Sequence, residues 1–327
     1  MAHPPPPLRL GSLELETPVI YSPLAGCSDY PFRQMVRRYT RCLMFCEMAK
    51  MDALVRYDQG TFSLLEFSEE MHPIGGQIVG SKPELAAKSA QIIEELGFDL
   101  VDLNCGCPVD KVTKDGSGSG LLQQPQKIGE IIANMRAAVK IPVTVKIRAG
   151  WDADHLNAPE IVKIAEEAGA AMITIHGRTR SQGYTGQANR DLIRSAKQAA
   201  TTIKVAGNGD IFDVPSALHM FEHTGCDAIM ISRGTMGNPA LGEMITRALC
   251  GEAWEEPTPE ERLHRLIEHL ECIRPYRNSR RAALDIRRVG CWYCKESRGI
   301  SDLRSKLSRV QEIDEAKALV LEYACSS

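Results

Sequence analysis

The sequence predicts an α/β protein, a closed (β/α)8 barrel followed by an all-helical C-terminal domain, and three observations carry that prediction. Eight short apolar runs recur between residues 19 and 232, most of them separated by stretches with apolar residues at three- and four-residue spacing. The runs end in glycine- or proline-marked loops, and eight strands alternating with helices over about 230 residues fit a closed TIM barrel better than an open sheet. From about Glu252 the rhythm stops, and the rest of the chain is helical in pattern with no convincing strand. A doubly wound sheet is the competing architecture. It would be favoured by Gly-x-Gly-x-x-Gly directly after the first strand, and none stands there. The chain is therefore divided into a barrel over residues 1–250 and a helical domain over residues 251–327.

The elements follow in order. Residues 1–7 form a proline-rich tail without the apolar centre of a signal peptide. Residues 8–16 alternate apolar and polar around Gly11-Ser12 and predict a hairpin that caps the underside of the barrel. Strands are expected at 19–23, 43–47, 73–79, 100–104, 143–147, 172–176, 203–206 and 228–232. Helices are expected at 85–96, 128–139, 161–168, 192–199 and 217–224. Apolar residues at 43% and charged residues at 25% are ordinary for a globular protein with a full core. No apolar run approaches the ~18 residues of a membrane span. Eleven cysteines in 327 residues, irregularly spaced, do not make a disulfide scaffold, and a reducing, cytoplasmic setting follows.

In the C-terminal region Thr258 reads as a helix cap with Pro259 as the first helical residue. Between Arg274 and Arg309 stand eleven basic residues, including Arg287, Arg288, Lys295 and Arg298, opposed by Asp285, Glu296 and Asp302. In a chain of net charge -3, that module is either a polyanion-binding surface or a solvated helix face. Tyr276, Trp292 and Tyr293 within it are either stacking platforms for bases or the core of the module. Cys291 and Cys294, with Cys272 and Cys325, allow a metal site or simple packing.

The stretch that organises the chemistry is Val101-Asp102-Leu103-Asn104-Cys105-Gly106-Cys107-Pro108. A strand stops there at a turn, presenting Asn104 and Cys107 at the end of a parallel barrel where ligands bind. Gly106, Pro108 and a flexible loop from Asp115 to Gly120 suggest a thiol placed for use, as general acid or as nucleophile. Cys105 with Cys107 is the wrong arithmetic for structural zinc. After strands seven and eight, Gly207-Asn208-Gly209-Asp210 and Ser232-Arg233-Gly234 match the barrel's usual phosphate site. Lys146, inside an apolar strand, needs an anion to offset its burial. His176 ends strand six as either a site residue or a packed one, and Gln77 offers an acceptor and two donors to a planar heterocycle.

These residues together resemble the tRNA-dihydrouridine synthases, and within them the bacterial B-type subgroup. The resemblance rests on Asn104-Cys105-Gly106-Cys107-Pro108 with Lys111-Val112, and on the block from Pro23 to Arg33. It extends to His176-Gly177-Arg178-Thr179-Arg180 with Gln182, Tyr184 and Gly186, to Gly207–Ile211 and Arg233-Gly234, and to Trp292-Tyr293 with Lys295 and Gly299. It spans nearly the whole chain. It implies an FMN enzyme, reduced by NADPH, that converts selected tRNA uridines to 5,6-dihydrouridine, with hydride delivered to C6 and Cys107 protonating C5. By the same resemblance Pro23, Leu24, Ala25, Gln77, Lys146, His176, Asn208, Gly209, Asp210, Ser232 and Arg233 contact FMN. Asn104, Arg178, Arg287 and Arg288 would meet the tRNA. No membrane, metal or protein partner is implied, and a monomer is expected. The sequence departs from the family's habit at Leu24, Cys27-Ser28, Val289, Cys291 and Cys294. Two other readings fit parts of the chain: an FMN barrel acting on a free pyrimidine, and an RNA-binding protein with a vestigial barrel.

Overall fold

The computed structural model describes residues 7–294 and 300–326. Expectations for residues 1–6, Lys295, Glu296, Arg298 and Gly299 lie outside them. The barrel strands are β1 (Val19–Tyr21), β2 (Leu43–Phe45), β3 (Ile74–Val79), β4 (Leu100–Cys105), β5 (Val143–Arg148), β6 (Met172–His176), β7 (Lys204–Asn208) and β8 (Ala228–Ile231). All pair in parallel, and the β8–β1 and β2–β3 ladders close the ring. The closed barrel expected from the sequence is the fold observed. A two-residue strand, Ala49–Lys50, adds to the edge of β3 and was not expected.

Strand periodicity explains how the barrel is both packed and functional. On β4, Val101, Leu103 and Cys105 belong to the layer under the outer helices, whereas Leu100 belongs to the barrel interior. Alternation therefore turns Asp102 and Asn104 inward. The same rule on β5 puts Val143, Val145 and Ile147 outward and Thr144, Lys146 and Arg148 inward. The lower interior is filled by Ile20, Leu43, Phe45, Leu100, Met172 and Met230. It is stoppered by Leu8, Leu10 and Leu15 of the N-terminal hairpin, which caps the underside as predicted.

The outer helices are α1 (Tyr30–Tyr39), α2 (Pro83–Glu95), α3 (Pro125–Ala138), α4 (Ala158–Glu167), α5 (Arg190–Ala199), α6 (Val214–Thr224) and α7 (Leu241–Leu249). Between β2 and β3, besides the Ala49–Lys50 strand, stand short helical turns in place of a full helix. The C-terminal region follows as α8 (Pro259–Tyr276), α9 (Ser279–Tyr293), α10 (Ile300–Leu307) and α11 (Ile313–Ser326). At the start of α8, Thr258 and Glu261 form a reciprocal capping box, satisfying backbone N–H groups that have no helical partner.

This region is packed onto α1. Trp292 meets Phe32 edge-on at 6.3 Å, and Tyr276 stacks on Tyr30 at 4.9 Å. Trp292, Tyr293, Ile286 and Val289 are buried, and His269, held neutral by burial with its pKa lowered to about 4, faces the Tyr293 hydroxyl at 3.1 Å. Trp292 and Tyr293 are thus core residues, which corrects the stacking-platform alternative: a ring with no exposed face cannot take a base. Among the described residues no three histidines, cysteines or carboxylates come together as metal ligands, and Cys272 and Cys294 are buried while Cys291 and Cys325 are exposed.

Candidate active site

A cavity of about 460 Å³ opens at the C-terminal ends of the strands. It gathers residues from every side of the ring: Pro23, Leu24 and Ala25 after β1, Gln77 on β3, Asn104 on β4 and Lys146 on β5. His176 of β6, Asn208, Gly209 and Asp210 of the β7 end, and Ser232 and Arg233 after β8 complete the wall, with Cys107 at the turn. Arg178, Arg287 and Arg288 do not line it.

Cys107 is held by its backbone. The side-chain Oδ1 of Asn104 accepts from the N–H groups of Gly106 and Cys107 at 3.0 and 2.9 Å. Ser119 donates to the Cys107 carbonyl through its hydroxyl at 2.9 Å and its N–H at 3.1 Å. The loop expected to be flexible is therefore a buttress, with Ser117, Gly118 and Ser119 buried. Gly118 has φ +56, and a Cβ there would stand 2.9 Å from the Cys107 carbonyl oxygen. Gly118→Ala should lower stability by about 2 kcal/mol or more, since it combines left-handed strain with overpacking. Urea melting checks this, and an unchanged midpoint would mean the loop yields freely. Cys105, two residues back on β4, points outward into the helix layer and is fully buried, with its thiol pKa raised well above the usual range by burial. That geometry removes any shared metal for Cys105 and Cys107.

The cavity is electropositive. Lys146 makes no hydrogen bond or ion pair among the described residues, and burial with neighbouring Arg148 lowers its pKa to about 8. His176 is driven well below its usual pKa by burial and by Lys146, Arg148, Arg178 and Arg233, so it is neutral at pH 7. Arg148 carries no signal of its own in the sequence, yet it is buried and ties the thiol's turn to the β6 loop. Its guanidinium donates to the carbonyls of Gly106 at 2.9 Å and of Thr179 and Gly183 at 2.8 Å. Asp102 is likewise silent in the sequence. It lies directly beneath the cavity floor, bonded to Gln77 at 2.7 Å.

Two expected roles change. Arg178 is 2% exposed and forms a two-pronged pair with Asp210 at 2.9 and 2.7 Å, behind the wall where no tRNA group can reach it. Asp210 turns its carboxylate to Arg178 and to Arg233, at 3.0 Å, so its side chain aims these cations, and its expected part in a phosphate site narrows to the backbone it adds to the cavity wall. Burial raises the Asp210 pKa, but hydrogen bonds from Arg178 and the Ala188 N–H outweigh it and hold the carboxyl low. Gly209 has φ +123, and a Cβ would meet Ala188 at 2.6 Å, so the β7 loop requires glycine there. Arg233 is sandwiched by Tyr184 at 4.8 Å and Phe212 at 5.3 Å, both half-exposed rings on the rim.

A partnerless lysine, a neutral histidine and a cation beside glycine-rich backbone suit a planar anionic ligand that carries a phosphate. The sequence profile of the dihydrouridine synthases matches residues 20–327. The chain belongs to the dihydrouridine synthase family. A probable tRNA-dihydrouridine synthase 1 of Synechocystis is 40% identical over 98% of this chain and 90% of its own. The tRNA-dihydrouridine synthase B of Pasteurella multocida is 35% identical over 88% and 86%, which bears out the expected B-type subgroup. Among solved structures, histamine dehydrogenase from Rhizobium superposes with a TM-score of 0.56 at 12% identity, covering 81% of this chain and 50% of that one. Morphinone reductase gives 0.51 at 16% identity, over 78% and 93%. At such identities these two establish the barrel alone.

Proposed function

We propose that this dihydrouridine synthase reduces the C5–C6 bond of selected uridines in tRNA, with FMN as its cofactor and NADPH as reductant. The observation that carries the reading is the thiol of Cys107 opening on a cavity whose lysine has no partner of its own. Gln77, Lys146 and His176 would hold the flavin ring, with Pro23, Leu24 and Ala25 beside it and Asn208, Gly209, Ser232 and Arg233 at its phosphate. When bound and reduced, the flavin supplies the hydride that adds to uracil C6. Cys107 gives its Sγ proton to C5, and the thiolate regains a proton from solvent. The base must leave its stack to reach the thiol.

The helical region supplies a surface for phosphates, but with fewer cations than its composition suggests. Arg274 is paired with Glu271 and Asp314, and Arg277 and Arg288 with Asp29 and Asp285. Arg288 is thus a joint between the helical region and the barrel, not a contact for tRNA. Arg280, Arg281, Arg304, Lys306 and Arg309 are exposed without ion pairs among the described residues, and Arg287 is half-buried and likewise unpaired. Replacing Arg304, Lys306 and Arg309 by alanine should weaken tRNA binding and flatten its salt dependence, by about one log unit per log unit of salt for each phosphate no longer neutralised. Titrations at several salt concentrations test this; an unchanged slope would place the tRNA elsewhere. We place the reaction in the cytoplasm, on a monomer. Anaerobic incubation of the purified protein with NADPH and unmodified tRNA, followed by mapping of dihydrouridine, tests the whole reading. Failure to form it, or equal action on free uracil, would overturn the reading.

A further inference from the structure

We propose that Asp102 is a positioning residue for the thiol: it fixes the direction of a hydrogen-bond chain that runs through Gln77 and Asn104 to the backbone of Cys107. The proposal deepens the functional reading above and rests on it.

Asp102 stands on β4 between Gln77 of β3 and Thr144 of β5, its direct partners across both ladders. It is 1% exposed. One oxygen accepts from the Thr144 hydroxyl at 2.6 Å and the other from Gln77 Nε2 at 2.7 Å. A carboxylate oxygen only accepts, so the Gln77 NH2 must face it and the Gln77 carbonyl must face away. That carbonyl accepts from Asn104 Nδ2 at 2.8 Å. Asn104 is left with Oδ1 toward the turn, where it receives the N–H groups of Gly106 and Cys107. Two amides that could each sit either way round are thereby set one way. The reverse order would aim the Asn104 NH2 at two N–H donors and leave all of them unsatisfied.

Burial pushes the Asp102 carboxyl up to about 6, against the pull of Thr144, Gln77 and Lys146. The chain survives protonation, because a proton on the oxygen facing Thr144 can be donated to that hydroxyl while the other oxygen still accepts from Gln77. A leucine has the same branched outline, with bulkier methyl groups in place of the oxygens and no charge to desolvate. What leucine lacks is the power to orient Gln77.

The test compares Asp102→Leu with Asp102→Asn in the FMN-loaded protein. Asparagine keeps the shape, accepting from Gln77 and donating to Thr144. In Asp102→Leu, reoxidation of the NADPH-reduced enzyme by tRNA should slow by about 100-fold or more, the scale of a misplaced reacting group. Reduction by NADPH should slow by clearly less, since Gln77 also faces the flavin's place, and Asp102→Asn should recover to within about tenfold of wild type. Independently of flavin and tRNA, amide hydrogen exchange at Gly106 and Cys107 should quicken at least about tenfold in Asp102→Leu. Unchanged exchange, or reoxidation within about threefold of wild type, would overturn the proposal. So would equal slowing of both half-reactions, which would assign Asp102 to the flavin. If wild type itself is not reoxidised by tRNA, the functional reading fails while the exchange measurement still judges the chain. Should the leucine variant not fold, Asp102→Ala takes its place: faster exchange at both amides supports the chain, and unchanged rates overturn it.

Discussion

Replacing Cys107 by alanine is expected to leave the protein folded and its flavin bound while tRNA reduction falls by about 10²–10⁴-fold, the usual loss on removing a general acid. The geometry makes this a clean experiment. The thiol makes no hydrogen bond among the described residues, and the side chain is only partly buried, so truncation removes little packing. The backbone bonds that shape the turn run to Asn104 and Ser119 and do not involve Sγ. Cys105→Ala is the matched control. Its side chain is fully enclosed beneath the outer helices, so its loss should cost stability, about 1–2 kcal/mol for a small cavity, and spare the rate. A serine at 107 keeps a proton, but on a hydroxyl that gives it up far less readily, so activity should stay close to the alanine level. The measurement is dihydrouridine formed at saturating tRNA, alongside the rate at which NADPH reduces the enzyme. Full-rate turnover in Cys107→Ala would remove the thiol from the chemistry.

The barrel was legible because each strand is buried on both faces and so reads as an unbroken apolar run that stops at a turn residue. Runs ending in Gly207 and Asn208, or in Cys105, extend by a residue or two beyond the expected limits, since ladder pairing runs through the backbone whichever side chain follows. Helix α1 was less visible. Its apolar face, Phe32, Met35 and Val36, is interrupted by Arg33, which is 1% exposed and donates to the carbonyls of Ser28 and Glu66. A charged residue satisfied by backbone looks like a surface position in sequence. The cavity-lining residues followed from their places at strand ends. The supporting residues did not: Asp102 and Arg148 read as interruptions in apolar strands, and the serine–glycine run after Cys107 reads as slack chain until it is seen packed. Charge in the helical region misled for a related reason. Composition counts cations, whereas only the fold shows that Arg277 and Arg288 face Asp29, about 250 residues away in the chain.

That long-range pairing gives the second large effect. Asp29→Ala should destabilise the protein by about 2–4 kcal/mol, combining a missing helix cap with a broken, largely buried ion pair. One Asp29 oxygen caps α1 by accepting from the Phe32 N–H at 3.2 Å. The other accepts from Arg288 at 2.8 Å and Arg277 at 3.2 Å, and the residue is 6% exposed. Asp285 also binds both arginines, so without Asp29 two guanidiniums share one carboxylate, each only about a quarter exposed or less. Asp29→Asn keeps the cap oxygen and loses the charge, so it should fall between wild type and alanine. The damage should be local at first. Residues of α8 and α9 should lose exchange protection before the barrel strands do, because the broken joint lies between them. The enzyme should still be reduced by NADPH, whereas the KM for tRNA should rise, since a loosened helical region presents Arg280, Arg281 and their neighbours in no fixed register over the cavity. Urea melting, exchange and steady-state kinetics on the two variants test this sequence of effects. If Asp29→Ala melts with the wild-type midpoint, the apolar packing of Phe32 against Trp292 alone holds the two parts together, and the ion pairs only decorate it.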